Sequence, residues 1–267
     1  MIIYEYLKNE YKNKSKNNIK SLLKNEMVLV NNKIVTKYDY MLKENDEVKI
    51  MNTKLNDEIK IEYEDKYIII VLKPHNLLTI SNEKEKEKTL YHLVSNYLKS
   101  SNKNNKVFIV HRLDYETSGL VIFAKDVKIK EYLQNNWDKV IRKYIALVEG
   151  KTKEKETIKL KLLEDKYNVY VDSKGKEAIT EYELLKSNEY NSIISVNLKT
   201  GRKNQIRISL KKIGNPIIGD GKYGKKEKIM YLIANELEFI HPYTKKKISI
   251  KISIPEYFNK RFKQNKA

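Results

Sequence analysis

The sequence predicts an α+β protein in which a mainly antiparallel sheet forms most of a large domain. Many short apolar runs with strand-like spacing occur between residues 59 and 200, whereas only a few segments have helical spacing. Strand-like apolar runs become frequent from about residue 59, and this change in pattern separates the region from a small α/β module at the amino terminus. At 267 residues the chain is long enough for one or two domains whose cores need neither disulfides nor metals.

Residues 1–52 are predicted to form the small module, which begins with a basic helix. Ser15 is a suitable cap for this helix. Three apolar residues form its core side: Ile19, Leu22 and Leu23. Three lysines at intervals of four form a cationic stripe: Lys16, Lys20 and Lys24. The stripe is either a solvated face or a surface that binds phosphates, and the residues alone leave both interpretations open.

The module is predicted to continue with three short strands. VLVNNKIV contains two of them around Asn31 and Asn32, which tolerate the positive dihedral angles of a tight hairpin turn. EVKI at residues 47–50 predicts the third strand.

Residues 53–260 are predicted to form the large domain, and residues 261–267 a basic tail. Helices are predicted after Thr89 and from Asp126 toward Trp137. Strands are predicted at IKIEY, YIIIVLK, VFIV, LVIFAK, VIRKYIALVEG, TIKLKLL, YNVYV, AITEYELL and SIISVNLKT.

The composition excludes several classes of function. Because the chain has no cysteine, it has no thiolate nucleophile, zinc finger or iron–sulfur cluster, and four histidines argue against a dedicated metal site. No apolar run reaches the roughly eighteen residues of a membrane span, and the first residues lack the order of a signal peptide. We therefore expect a soluble, cytoplasmic protein without a membrane partner.

The basic residues favour a polyanionic partner, with nucleic acid preferred to lipid. The formal charge is +19, although 40% of the residues are hydrophobic. Only five of the 54 basic residues are arginines: Arg112, Arg142, Arg202, Arg207 and Arg261. A planar guanidinium is needed for bidentate contact with carboxylate or phosphate, so arginines in a lysine-rich chain mark candidate sites. Five of the eight glycines also fall within residues 201–224.

The first candidate site is HRLDYETSGL at residues 111–120, a polar segment between two apolar strand-like runs. By its chemistry alone, Asp114 is a nucleophile, a general base or half of a salt bridge, and the salt bridge is the simplest of these. His111 is most simply a packed, hydrogen-bonded side chain.

The second candidate site is TGRKNQIR at residues 200–207, which follows a strand and opens a helix. Ile206, Leu210 and Ile213 mark the buried side of this helix, and Gly214 its end. The start of a helix attracts anions, and two arginines strengthen that attraction. Phosphate binding and pairing with a buried carboxylate both remain open. The following GNPIIGD and YG are most simply a tight structural connection.

Residues 15–50 resemble the ribosomal-protein-S-four-like RNA-binding domain. A basic helix, a V-x-V-N hairpin, and a leucine and an acidic turn before a strand occur in that order. Asn32 stands where the family normally has glycine, and asparagine also tolerates this backbone region. The resemblance implies RNA contacts from Lys16, Lys20 and Lys24.

Residues 60–255 resemble the RluA-type pseudouridine synthases. HRLDYETSGLVIFAK matches the segment with the catalytic aspartate. KPHNLLTIS, RKYIALVEG, GKEAITEYELL, TGRKNQIRISLKKIGNPIIGDGKYG and LIANELEFIHP match the other segments in the family's order. H-R-L-D-x-x-T-S-G with T-G-R-x-x-Q-I-R and P-I-x-G-D-x-x-Y-G is a highly specific combination. The resemblance implies the pseudouridine synthase fold and the isomerisation of uridine to pseudouridine in RNA without a cofactor.

The resemblance also implies a role for each motif residue. It makes Asp114 the catalytic carboxylate, Tyr144 the active-site tyrosine and Arg207 the partner that keeps the carboxylate ionised by lowering its pKa. Arg112 is expected to fill the space that the flipped base leaves. The other expected RNA contacts in this domain are His111, Thr117, Arg202, Asn204 and Gln205.

Two residues depart from the family's pattern. Asn204 stands where histidine is usual, and Ser209 where a second histidine is common. Neither is the catalytic carboxylate or its arginine, so the departures bear on site preference and rate more than on reaction type.

The expected substrate is structured RNA, with large-subunit ribosomal RNA favoured and transfer RNA as the alternative. A monomer is expected because the sequence has no additional apolar stripe that would need to be buried against a second chain. The competing hypothesis is a noncatalytic RNA-binding protein of the same fold that aids ribosome assembly. The presence of Asp114, Tyr144 and Arg207 together argues against it.

Overall fold

A computed structural model describes residues 1–11, 16–24, 28–31, 33–50, 59–82, 85, 88–165 and 168–264. The chain divides into two compact units, Met1–Glu58 and Ile59–Ala267. Three sequence predictions lie outside the described residues: the helix cap Ser15, the turn residue Asn32 and the domain boundary after residue 52.

The smaller unit combines two helices with a three-stranded antiparallel sheet. The helices are α1 (Ile3–Glu10) and α2 (Lys16–Lys24). The strands are β1 (Val28–Val30), β2 (Lys33–Ile34) and β3 (Val48–Ile50), with β1 in the centre. The predicted hairpin and third strand are confirmed, and α1 adds an element beyond those predicted.

A small apolar core holds this unit together, and it includes Ile3, Leu7, Ile19, Leu23, Val28, Val30 and Val35. The two predicted faces of α2 are confirmed, because its apolar stripe points to this core and its three lysines are exposed.

The larger unit is built on an eleven-stranded mixed sheet, which confirms the predicted α+β class. Across the sheet the order is β10-β9-β11-β12-β8-β13-β7-β5-β4, with β14 paired to β13 and β6 paired to β7. In chain order the strands are β4 (Lys60–Glu64), β5 (Ile68–Lys73), β6 (Phe108–Ile109), β7 (Ser118–Ala124), β8 (Ile141–Glu149), β9 (Lys155–Glu164), β10 (Val169–Val171), β11 (Lys176–Ser187), β12 (Asn191–Leu198), β13 (Leu232–Ile240) and β14 (Lys247–Lys251).

Every described pairing in this sheet is antiparallel except that of β13 with β7, where Ile233 lies opposite Ser118 and Ala234 opposite Gly119. Gly119 has φ of +123°, and a Cβ at this position would overlap the backbone of Ala234. Glycine is therefore needed here, since only a residue without a side chain lets β7 approach β13 this closely.

Four described helices belong to the larger unit: α3 (Leu90–Ser101), α4 (Val127–Asn135), α5 (Gln205–Lys212) and α6 (Glu256–Lys263). The predicted starts of α3 and α4 are confirmed, because Thr89 accepts a hydrogen bond from the His92 N–H and Asp126 accepts one from the Lys128 N–H. A short 3-10 turn at Trp137–Lys139 follows α4. None of the described helices is long and apolar enough to cross a membrane.

Helix α6 corrects the start of the basic tail predicted at residues 261–267, of which residues 265–267 lie outside the described part of the chain. Residues 261–263 are helical, and Arg261 is buried with Nη2 at 2.6 Å from Glu227 Oε1. Phe258 on the same helix is fully buried in a core cluster of the larger unit. The start of the supposed tail is therefore part of the folded unit.

Candidate active site

Residues 111–117 of the HRLDYETSGL segment lie in a loop between β6 and β7, and this loop presents Asp114. A 3.2 Å hydrogen bond from the Thr117 N–H to the Asp114 carbonyl oxygen closes a turn. The side chain of Asp114 is 29% exposed, whereas Thr117 is buried. The carboxylate is thus largely removed from solvent but still accessible.

Lys73, at the end of β5, fixes this loop. Its side chain is fully buried, and Nζ donates to two carbonyl oxygens of the turn that follows it and, at 3.1 Å, to that of Tyr115 in the loop. Burial lowers the pKa of Lys73 to about 7, against the opposing effect of Asp114 and Glu116. The three carbonyl oxygens around Nζ nevertheless favour the ammonium form, because only this form has three hydrogens to donate to the two segments.

Two more side chains from the same segment hold the loop. Thr79 Oγ1 donates to the Leu113 carbonyl oxygen at 2.8 Å and accepts from the Leu113 N–H at 3.1 Å. His75 Nδ1 lies 3.2 Å from the Glu116 carbonyl oxygen, and its Nε2 lies 2.7 Å from the Tyr257 hydroxyl. These contacts fix the backbone on both sides of Asp114.

Arg207 on α5 is the buried arginine that faces Asp114, and its main partner is Asp220. Its Nε and Nη2 donate to the two carboxylate oxygens of Asp220 at 2.8 and 2.7 Å. Its Nη1 lies 3.4 Å from Glu116 Oε2 and 3.7 Å from Asp114 Oδ2. The guanidinium thus faces Asp114 as expected, but a fully buried second carboxylate holds it in place.

The net direction of the Asp114 shift is opposite to the expectation from the sequence. Burial raises the pKa of Asp114 above its ordinary value, and the negative charge of Glu116 raises it further. Arg207, Arg112 and Lys73 lower this pKa, but their combined effect is the smaller one. Arg207 therefore limits the rise in the pKa of Asp114 without reversing it.

Asn204 and Tyr223 complete the surroundings of Arg207. The guanidinium carbon lies 5.4 Å from the centre of the Tyr223 ring, and Asn204 Oδ1 lies 3.5 Å from Nη1. Asn204 Nδ2 also donates to the Tyr223 hydroxyl at 3.1 Å. The backbone of Asn204 is left-handed, with φ of +54°, a conformation that asparagine tolerates well.

Tyr144 is a buried residue of β8, and its strand neighbours are Val196 on β12 and Ala234 on β13. Burial raises the pKa of Tyr144 to about 12, with Arg142 lowering it and Asp114 raising it. Its hydroxyl is therefore protonated at neutral pH.

Asp114, Tyr144 and Arg207 line a cavity of about 310 Å³, which is at the small end of the range for ligand pockets. The predicted site residues that line it are Arg112, Asp114, Thr117, Tyr144, Arg202, Asn204, Gln205 and Arg207. Lys16, Lys20 and Lys24 belong to the other compact unit.

The expected RNA contacts within the larger unit differ in exposure. Arg112 and Arg202 are exposed, so both can reach a large ligand. Gln205 is buried, where Oε1 accepts from Thr200 Oγ1 and the Arg202 N–H, and Nε2 donates to the Ile179 carbonyl oxygen. Gln205 thereby shapes the TGR turn from inside the protein.

His111 is not among the residues that line the cavity. Its ring stacks on Trp137 with 4.5 Å between centres, and Nε2 accepts from the Ile122 N–H at 3.1 Å. Burial lowers the pKa of His111 to about 3, and the charge of Arg142 adds to this effect. The ring is therefore neutral and packed, which agrees with the interpretation of His111 as a packed, hydrogen-bonded side chain.

Ser209, at the second departure from the family's pattern, is also buried. Its hydroxyl lies 3.1 Å from Thr180 Oγ1, within hydrogen-bonding distance. The residue contributes to packing of α5 on β11.

The family described as RNA pseudouridylate synthase matches residues 67–212, which include all three predicted catalytic residues. The chain belongs to this family. Membership establishes isomerase chemistry on RNA as the activity class of the protein, and it confirms the resemblance on which the catalytic assignments depend.

Relatives of this pseudouridine synthase extend the match. The chain is 31% identical to ribosomal large subunit pseudouridine synthase C of Buchnera aphidicola (subspecies Baizongia pistaciae), over 93% of this chain and 88% of the relative. It is 34% identical to the protein of the same name in Rickettsia prowazekii, over 85% and 78%. It is 33% identical to the uncharacterized RNA pseudouridine synthase YhcT of Bacillus subtilis, over 74% and 69%.

A solved structure shares the fold of this pseudouridine synthase. Human RNA pseudouridylate synthase domain containing 4 matches 74% of this chain and 90% of its own, with a TM-score of 0.64 and 20% identity. This likeness confirms the predicted fold.

The sequence analysis assigned no role in the site to three residues that the structure places there. Lys73 and Asp220 occur in quoted motif segments, but their letters alone do not show that one holds the Asp114 loop and the other holds Arg207. Tyr223 belongs to the YG pair that was interpreted as structural, and it contacts Arg207. Their position in motif segments beside a candidate site is the signal that could have found them.

Proposed function

We propose that this pseudouridine synthase acts on uridines of structured RNA, with large-subunit ribosomal RNA as the favoured substrate, Asp114 as the catalytic carboxylate and no cofactor. One observation carries the proposal: Asp114, Tyr144 and Arg207 line one cavity of the larger unit, contributed by a loop, a strand and a helix. Two relatives are named as large-subunit enzymes, which supports the choice of RNA.

The reaction requires a carboxylate that can reach the sugar of the target nucleotide. Isomerisation breaks the glycosidic bond, turns the base and joins carbon five to the anomeric carbon, with no hydrolysis and no redox change. An ionised Asp114 can attack or stabilise the anomeric carbon, or remove a neighbouring proton. Its partial exposure beside Arg207 supports each of these routes.

Tyr144 and Arg207 have separate parts in this proposal. The Tyr144 ring provides a flat apolar wall for the uracil ring, and its protonated hydroxyl can donate a hydrogen bond or a proton. The Asp220 pair fixes Arg207, so that Nη1 faces Asp114 without a rearrangement during the reaction.

Arg112 is proposed to stabilise the RNA after the target base has left the stack. A nucleotide within structured RNA must leave its stack to enter the cavity, and a planar cation can occupy the space that it leaves. The exposed position of Arg112 at the cavity supports this role. Arg202, also exposed there, is proposed to contact the RNA backbone.

The smaller unit is proposed to be an S-four-like RNA-binding domain. Its three exposed lysines, Lys16, Lys20 and Lys24, form one face of α2 opposite the buried core side. Such a face binds phosphates without reading bases, so it would add affinity and position the RNA.

Mapping of the product tests this proposal. Purified protein would be incubated with unmodified transcripts of large-subunit and small-subunit ribosomal RNA and with unmodified transfer RNA. Carbodiimide treatment and reverse transcription would then locate pseudouridine. We expect a few discrete positions in large-subunit RNA with wild type and none with Asp114→Ala.

Two other results would contradict parts of the proposal. Pseudouridine in transfer RNA alone would overturn the choice of substrate. Absence of pseudouridine from every RNA that the folded protein binds would favour the noncatalytic alternative.

A further inference from the structure

Arg142 on β8 is a buried cation without a carboxylate partner. The residue is 6% exposed, and within the described part of the chain it makes no ion pair. Nη2 donates to the Leu198 carbonyl oxygen at a long 3.4 Å, and Nε has no hydrogen-bond partner. Leaving a buried guanidinium without a counter-charge is unfavourable, so Arg142 requires an explanation beyond packing.

The other two buried arginines are paired differently. Arg207 makes two hydrogen bonds to Asp220, and Arg261 makes three contacts of 2.6 to 3.2 Å with Glu227. In both cases the protein supplies the anion. Arg142 lies in the same unit and is buried to a similar degree, but no carboxylate of the described residues lies within ion-pair distance of it, and Asp138 attracts it only from farther away.

Arg142 lies directly behind the wall of the active-site cavity and is not itself one of the residues that line it. Leu198 and Gly201, its neighbours on that side, both line the cavity. The Arg142 side chain is almost wholly buried, and a Cβ at Gly201 would lie only 3.0 Å from its Nη1, so a side chain there would close the approach to this nitrogen from the cavity. On another side the guanidinium carbon lies 5.6 Å from the centre of the Trp137 ring, which supports its orientation.

We propose that Arg142 binds a phosphate of the RNA backbone next to the uridine in the cavity, and that Gly201 lacks a side chain so that the phosphate can approach. This inference rests on the proposed function, because RNA supplies the phosphate. A guanidinium matches the geometry of phosphate oxygens, and a bound phosphate would supply the missing counter-charge. The site adds a positioning contact beside Tyr144, two residues along the same strand.

The first test replaces Arg142 with methionine, an unbranched apolar side chain. Removing an unpaired buried charge is expected to leave the unfolding temperature of the free protein unchanged or higher. Affinity for an unmodified large-subunit ribosomal RNA transcript is expected to fall about tenfold. The slope of log affinity against log KCl concentration should shrink by about 0.7–0.9.

Lys143→Met is the matched control, because Lys143 is the next residue on β8 and points to the opposite face of the sheet. It carries the same charge and pairs with Glu236 at 3.0 Å. We expect its salt slope to equal that of wild type. A lower unfolding temperature for Arg142→Met with an unchanged salt slope would show a structural role and overturn the proposal.

A second test uses Gly201→Ala, alone and together with Arg142→Met. The added methyl group should weaken RNA binding when Arg142 is present and have little further effect when it is absent. Fully additive losses would contradict a shared phosphate site.

Pseudouridine formation by wild type separates this inference from the proposed function. If wild type modifies RNA and Arg142→Met keeps the wild-type salt slope, the phosphate site is wrong and the proposed function stands. If wild type binds RNA without modifying it and the slopes differ, the phosphate site stands and the proposed function is wrong.

Discussion

Among single residues, Asp220 determines the position of Arg207 more strongly than Asp114 does. Arg207 makes two hydrogen bonds of 2.7 and 2.8 Å to Asp220 but approaches Asp114 only to 3.7 Å. Asp220 is fully buried, and it also accepts hydrogen bonds from the N–H groups of Lys222 and Tyr223. The buried pair is the rigid part of the site, and Asp114 remains available for chemistry.

Asp220→Asn is expected to lower the free energy of unfolding by about 3–5 kcal/mol, because Arg207 stays buried without its partner. Glu116→Gln is the matched control, since Glu116 contacts the same guanidinium from a side chain that is 41% exposed. We expect that change to cost less than about 1 kcal/mol. Urea unfolding measures both values, and equal losses would show that Asp220 is not the principal support.

The same Glu116→Gln variant tests the ionisation of Asp114. Because burial and the charge of Glu116 raise the pKa of Asp114, kcat/KM should fall on acidification through a pKa above the ordinary 3.8. Removing the negative charge should lower the pKa of Asp114 and move this acid limb to lower pH. A pH profile in which the limb stays in place or moves to higher pH would contradict the assignment.

At the scale of elements, the site depends on the junction between the end of β5 and the loop before β7. Lys73, Thr79 and His75 come from one segment, and each contacts the backbone of the Asp114 loop. The loop has no regular secondary structure over residues 110–117, so these side chains replace the hydrogen bonds that a strand or helix would supply.

Lys73→Met should reduce turnover about 100-fold, because it removes three hydrogen bonds around the loop and allows Asp114 to shift. RNA affinity should change little, since Lys73 is fully buried. Lys125→Met is the matched control. That lysine bonds to Glu64 and the Asp65 carbonyl oxygen, away from the loop. Turnover at saturating RNA measures the effect, and wild-type turnover of Lys73→Met would refute the role.

The element pattern also explains which parts of the fold are predictable. The strands from β4 to β12 and helices α2 to α5 contain apolar runs or helically spaced apolar residues that are visible in the sequence. Helices α1 and α6 bury only two residues each, so their apolar patterns are sparse. Strand β14 alternates, but it has only two half-buried isoleucines between lysines.

In the site, likewise, the motif residues are predictable from the sequence, whereas the tertiary contacts that hold them in place are not. Asp114, Tyr144 and Arg207 line one cavity, in agreement with what the motif resemblance implies. The contacts of Lys73 with Tyr115 and of Arg207 with Asp220 join residues 42 and 13 positions apart, and no local periodicity encodes them. They follow from the three-dimensional arrangement of the chain, which the sequence alone does not provide.

At the scale of the whole molecule, the charge of +19 should appear as steeply salt-dependent RNA binding. Changing Lys16, Lys20 and Lys24 together to glutamine should reduce the slope of log affinity against log KCl by about 2–3 if each binds one phosphate. Turnover at saturating RNA should persist, because none of the three lines the cavity.

A control for this prediction removes three exposed lysines from the β14 hairpin, Lys246, Lys247 and Lys251. On β14, Lys251 pairs with Glu236 in the middle of β13, and Lys247 pairs with Ile240 at its far end. The cavity is at the opposite end of β13, at Leu232. If this control reduces the slope equally, RNA binding reflects net charge alone, and the proposed role of the smaller unit is wrong.

The most direct test of the central claim is tritium release from RNA labelled at carbon five of uridine, because pseudouridine formation must expel that hydrogen. We expect release with wild type and none with Asp114→Ala. The variant should still bind RNA with near wild-type affinity, since the change removes the reacting group and no phosphate contact. Release by Asp114→Ala, or no release by wild type that binds RNA tightly, would contradict the assignment of Asp114 as the catalytic carboxylate.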